Sequence, residues 1–113
     1  MVQSVATDDV FHALSNPTRR KVLEHLSAGP ATVTELAAPF DMQLPSFVQH
    51  LSILEQSRLM TSKKRGRVRT YEIAPKRFEV VEDWLTARRK AWEARLDRFD
   101  DYVKQLKQKE SGS

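Results

Sequence analysis

From Lys76 to Lys109 the chain runs for 34 residues without a glycine or a proline. Within it Phe78, Val81, Leu85, Trp92, Leu96, Phe99, Val103 and Leu106 recur at helical steps, with Arg88 the one polar interruption. Steps of three and four put these side chains on one stripe of an α-helix. At 1.5 Å per residue that helix would be about 51 Å long. The rest of a 113-residue chain is too small to cover so long a stripe. The surplus apolar surface calls for a second copy or another helix, and the pattern reads as a dimer seam. The alternative is two helices folding back on each other near Ala91, where no breaker residue stands.

The whole chain of 113 residues reads as one domain with one modest core. A core over 8–75 is followed by the long helix over 76–109 and a small, polar, frayed tail over 110–113. Hydrophobic content of 40% and charged content of 30% fit a soluble globular protein. No apolar run approaches the roughly 18 residues needed to span a bilayer, so no membrane is expected as a partner. The start, MVQSVATDD, lacks the basic-then-apolar pattern of a signal peptide. With no cysteine there is no disulfide and no thiolate metal site. A cytoplasmic location is the expectation.

Val10, Phe11 and Leu14 at helical spacing predict a short first helix over Asp8 to Leu14. Asn16-Pro17 is a helix start, because Asn caps and the missing N–H of Pro costs nothing at the first position. The second helix then runs to about Ser27, with Val22, Leu23 and Leu26 inward and Arg19, Arg20, Lys21 and Glu24 outward. Gly29-Pro30 ends it. A brief third helix starts at Thr32 or Thr34 and stops at Pro39, and Phe40 to Gln43 form a tight turn. A fourth opens at Pro45 with Leu44 as cap residue and continues to about Ser57, with Phe47, Leu51 and Leu54 facing a core. Leucine cannot cap, so free N–H groups at the start of this helix make a natural phosphate site.

Next comes a hairpin. Arg58-Leu59-Met60 leads into one strand, Val68 to Ile73 alternates as the second, and Lys63 to Arg69 forms the tip. That tip holds five positive charges around Gly66, and without them the chain has 14 Lys+Arg against 15 Asp+Glu. The basic character of the protein is therefore one short segment, shaped to meet a polyanion. The expected fold is mainly α with a small β-hairpin (α+β), in the order ααααββα. Helix three, a turn and helix four, followed by a basic hairpin, make a winged helix–turn–helix. An α-helix fits the major groove of double-stranded DNA, and a two-stranded ribbon can follow the backbone or enter the adjacent minor groove.

The phrase Ala13-Leu14-Ser15-Asn16-Pro17-Thr18-Arg19-Arg20, with Val22-Leu23 and His25-Leu26, resembles the opening of ArsR-type (ArsR/SmtB) winged-helix regulators. Leu44-Pro45-Ser46-Phe47-Val48-Gln49-His50-Leu51, with Leu54 and Leu59, is similar to that family's recognition-helix signature, and Lys64-Arg65-Gly66-Arg67 through Tyr71 is similar to its wing. The similarity covers about Asp8 to Ile73. It implies a homodimeric bacterial transcription repressor, with helix four in the major groove and wings at the flanks. The first and last helices would form the interface through Val10, Phe11, Leu14, Phe78, Val81, Leu85, Trp92, Leu96, Phe99 and Val103.

With Phe47, Leu51 and Leu54 inward, the residues turned toward DNA are Gln43, Leu44, Ser46, Val48, Gln49, His50 and Ser52. Many family members carry Gln and Ser where this chain has Leu44 and Val48, and Lys where it has Gln49. Leucine and valine can press on thymine methyls but cannot hydrogen-bond a base edge. Limited direct readout is therefore expected, with Gln43, Ser46 and Gln49 as polar readers and groove shape supplying much of the specificity. Partial burial of Leu44 or Val48 through a small helix rotation stands as the alternative. In the wing, Arg65 and Arg67 are the minor-groove candidates, and Lys63, Lys64 and Arg69 meet phosphates. His50 either bonds phosphate or packs.

The metal sites of the family lack their ligands in this sequence. Glu35 to Phe40 holds no cysteine, no histidine follows His50, and Asp8 with His12 makes only a weak half-site. No metal and no cofactor are expected. Trp84, Trp92, Phe99 and Tyr102 leave an organic small-molecule effector open, with interface packing as the default. An enzyme is disfavoured, because His12, His25 and His50 lie on separate helices with no nucleophile signature nearby. A protein-interaction module using the long helix as a coiled coil with an unlike partner is the competing class. RNA binding lacks an aromatic stacking platform near the wing.

Overall fold

A computed structural model describes residues 2–111, with side chains from Val5 onward. Helix α1 spans Val2–Leu14 and α2 spans Pro17–Leu26. Strand β1 is Ala31–Thr32, and helices α3 and α4 are Val33–Ala37 and Leu44–Gln56. Strands β2 and β3 are Met60–Arg65 and Val68–Ile73, and a 3-10 turn at Pro75–Phe78 leads into α5, Glu79–Ser111. The protein is mostly helical with a small antiparallel sheet of order β1-β3-β2 and a long last helix.

Local chemistry explains most of these boundaries. Asn16 Oδ1 accepts from the amides of Thr18 and Arg19 at 2.9 and 3.2 Å, and Pro17 opens α2. Thr32 and Glu35 form a reciprocal capping box at α3, and the Thr32 amide donating to Glu35 lowers that carboxyl from its ordinary value. Helix α4 ends at Ser57, after which Arg58 takes a left-handed φ of 65° where glycine is the usual occupant. Ser57 Oγ donates to the Leu54 carbonyl at 2.7 Å, which keeps this buried serine satisfied.

The core gathers Val10 and Ala13 from α1, Val22, Leu23 and Leu26 from α2, and Ala31, Leu36, Phe47, Leu51 and Leu54 beyond them. Leu59, Met60 and Tyr71 close it from the sheet side. Phe78, Val80 and Val81 pack against this cluster as half-buried residues. Contacts divide the chain after Val81 into two units, the second beginning at Glu82.

Several expectations are corrected here. Helix α1 begins at Val2 rather than Asp8. On that helix Val10 is fully buried inside the chain's own core and has no surface to offer a second copy. Arg19, expected outward, is only 5% exposed. Strand β1 was not foreseen, since two residues carry no period; it pairs Ala31 with Tyr71 and Thr32 with Thr70. The residue before α4 is Gln43, with Pro45 in its first turn, and no side chain caps the helix there either. The C-terminal segment is a single helix through Ser111 with no fold-back at Ala91, so Glu110 and Ser111 are helical rather than frayed. The expected tail residues Gly112 and Ser113 lie outside the described residues.

No residue of α5 is buried in the single chain. Leu85, Trp92, Leu96 and Phe99 are each more than half exposed. Among the described residues no helix is long and apolar enough to cross a membrane.

Candidate nucleic-acid interface

Helix α3, the turn 38–43 and helix α4 form the first part of the site. Phe40 in the turn packs its ring 5.4 Å from that of Phe47, which fixes the turn against the buried face of α4. With Phe47, Leu51 and Leu54 turned in, Gln43, Leu44, Ser46, Val48, Gln49 and Ser52 are all exposed. Leu44 and Val48 are 55% and 44% exposed, so the rotation that would have buried them does not occur. His50 differs from its neighbours. It is half-buried, and its Nδ1 lies 3.0 Å from Arg19 Nη1. Burial first, and then the Arg19 charge, hold the imidazole below its ordinary pKa.

The wing is the second part. Arg65 pairs with Val68, so Gly66 and Arg67 alone make the turn, a shorter tip than the expected Lys63 to Arg69. Gly66 has φ 61°, and Arg67 is not among the positive-φ residues, the pattern of a two-residue hairpin turn with glycine first. The basic residues consequently stand on paired strands rather than on a loose loop. Lys64 lies directly opposite Arg69, a like-charge pairing that costs stability unless an anion covers it.

Lys63 meets Glu72 at 3.8 Å, but both side chains are largely exposed and such a pair contributes little. Arg69 Nη1 donates to Ser62 Oγ at 2.7 Å, and Ser62 Oγ donates to Glu55 Oε2 of α4 at 3.2 Å. This relay ties the base of the wing to helix α4. Burial, with the Glu55 charge, raises the neighbouring Tyr71 phenol above its ordinary pKa. Lys64, Arg65 and Arg67 have no ion-pair partner among the described residues.

Of the residues expected at a seam, Leu14, Phe78 and Val81 pack against the core with part of their surface open, and Phe11 is half-buried. Leu85, Trp92, Leu96 and Phe99 are exposed, and Val103 is partly so. Among the described residues no group of three or more His, Asp or Glu could hold a metal. Sequence reading missed Arg19, because a charged residue on an amphipathic helix reads as outward. The one available signal was its position three residues after the capping Asn16, which points it at the end of α1.

A helix–turn–helix with a basic hairpin beside it defines a winged-helix DNA-binding protein. Residues 14–63 match the family described as a helix–turn–helix domain. The chain is 32% identical over 78 residues to the transcriptional repressor SdpR of Bacillus subtilis (strain 168), covering 69% of this chain and 87% of that one. It is also similar to the crystal structure of the ArsR family transcriptional regulator RHA00566, with 50% identity, a TM-score of 0.77, and coverage of 80% of this chain and 93% of that one. An ArsR-like transcriptional regulator from Rhodococcus sp. RHA1 shares the fold at 24% identity, with a TM-score of 0.75 over 88% of this chain and 93% of that one. The chain belongs to the ArsR family of transcriptional regulators, and it is a DNA-binding regulator rather than an enzyme.

Proposed function

We propose that two copies of this chain form a cytoplasmic transcriptional repressor that reads an inverted repeat in double-stranded DNA. Each copy would set α4 in the major groove and its wing alongside, with half-sites about one helical turn apart. Gln43, Ser46, Gln49 and Ser52 would contact bases or phosphates. Arg65 and Arg67 would enter the minor groove, and Lys63, Lys64 and Arg69 would meet phosphates.

The observation that carries the dimer is the uncovered stripe of Leu85, Trp92, Leu96, Phe99 and Leu106 on α5. Burying the exposed half of five such side chains on each of two copies returns about 10 kcal/mol, at 1.5–3 kcal/mol per full side chain. That is enough to compete with an association cost of about 4–15 kcal/mol. Phe11 and Leu14 of α1 would join this seam. The same stripe also fits a helix of an unlike partner, and a chain that sediments as a monomer would favour that reading.

Metal sensing through Cys or His sites of the familiar kind is not part of the proposal, since the donors are missing from the sequence. The test is selection of bound sequences from random duplexes at two salt concentrations. An enriched palindrome whose binding weakens with salt supports the reading. Unpatterned binding at both concentrations contradicts operator recognition.

A further inference from the structure

We infer that Leu44 and Val48 read the C5-methyl groups of thymines in each half-site, so that this regulator's specificity rests in part on apolar contacts. The inference rests on the DNA-reading role proposed above. Leu44 and Val48 are exposed one turn apart on α4. At about 100° per residue they share a stripe with Glu55, the three lying within about 40° of one another around the helix. Glu55 Oε2 accepts from Ser62 Oγ, which accepts from Arg69 of the wing. The apolar pair therefore faces the same side of α4 as the wing's tether, about 10–17 Å along the helix axis from Glu55. His50 lies about 140° away around the helix and is occupied by Arg19.

The thymine methyl is the one apolar group that the four bases present on the major-groove edge. A leucine or valine pressed onto it removes apolar surface from water. The same side chain pressed onto the amino group of adenine or cytosine, or onto guanine O6, strips water and returns no hydrogen bond. Discrimination thus comes from attraction to thymine and from the penalty for the other bases together.

The test uses the full chain and its selected duplex, with thymines replaced singly by deoxyuridine. That change deletes the methyl and keeps the pairing. Thymines outside the repeat serve as the reference. At one or two positions per half-site the loss should be about fourfold in affinity per methyl, the factor that burying one methyl group carries. Val48→Ser, which carries no methyl, and Leu44→Gln should each bind the thymine and deoxyuridine duplexes equally at the matching position. Both positions are exposed, so circular dichroism should be unchanged. Wild-type protein that binds its palindrome with no deoxyuridine penalty overturns the inference and leaves the operator reading intact. A penalty that persists in both variants also overturns it, since another group then senses the methyl. Failure to select any sequence overturns this inference and the proposed function together.

Discussion

Arg19 of α2 holds His50 of α4 through a single contact, Nη1 to Nδ1 at 3.0 Å. The same guanidinium donates from Nε to the Ala13 carbonyl at 2.8 Å and from Nη2 to the His12 carbonyl at 3.0 Å. One buried side chain thereby closes the C-terminal end of α1 and touches helix α4. Arginine is always a donor, so Nδ1 must accept and the His50 proton resides on Nε2. A neutral His50 is a requirement of this contact.

That requirement gives a pH dependence. The folded pKa of His50 lies below its ordinary value of 6.5. As pH falls, the unfolded chain takes up a proton first. The stabilisation from neutral His50 is therefore complete above about 6.5 and is lost as pH falls through the lowered folded value. Thermal melts from pH 7.5 to 5 should show wild type losing stability more steeply than His50→Asn, whose amide oxygen can replace Nδ1. Parallel slopes would show that His50 does not titrate on unfolding.

Arg19→Ala should be more damaging than any exposed substitution. It leaves two carbonyls and one ring nitrogen without their donor in a nearly buried place. The expected loss is about 3 kcal/mol, or a fall in Tm of roughly 10 °C for a chain of this size. Arg19→Lys, a point charge without the planar fork, should recover only part of it. A melting temperature within 2–3 °C of wild type, a shift of about 1 kcal/mol or less, would remove the buried network from the stability of the fold.

The wing makes a separable prediction. Arg67→Ala should weaken operator binding and lower the slope of log affinity against log salt by about one per wing engaged. Affinity titrations from 50 to 200 mM salt would show it. An unchanged slope places Arg67 away from DNA.

Arg58→Gly should stabilise the protein. The left-handed φ of 65° costs a side chain about 1–2 kcal/mol, and glycine returns part of that as added freedom in the unfolded chain. A gain of about 0.5–1 kcal/mol in urea melts is expected, with DNA affinity unchanged. Destabilisation would mean that the exposed Arg58 side chain contributes more than its backbone costs.

Much of the fold was legible because its signals are local. Asn16-Pro17, the Phe47-Leu51-Leu54 stripe and the glycine-centred basic hairpin each follow from chemistry within a few residues. What was not legible depends on tertiary contact. Strand β1 exists because β3 offers a free edge to Ala31 and Thr32. Arg19 is buried because the open carbonyls of α1 meet it in space. Helix α1 runs back past Asp8, a cap-type residue that reads as a helix start, and begins at Val2. The exposure of Leu44 and Val48 depended on a rotation of α4 too small to read from spacing.

The central claim is that two chains, joined through α5, grip one operator. Sedimentation velocity of the full chain, alone and with its selected palindrome, measures it directly, with Leu96→Asp, Phe99→Asp as the paired variant. We expect a dimer alone, two chains per duplex, and a variant that is monomeric and has lost high-affinity binding while it still melts cooperatively. A monomeric wild type that occupies the palindrome one chain at a time, with affinity equal to the variant's, would contradict it.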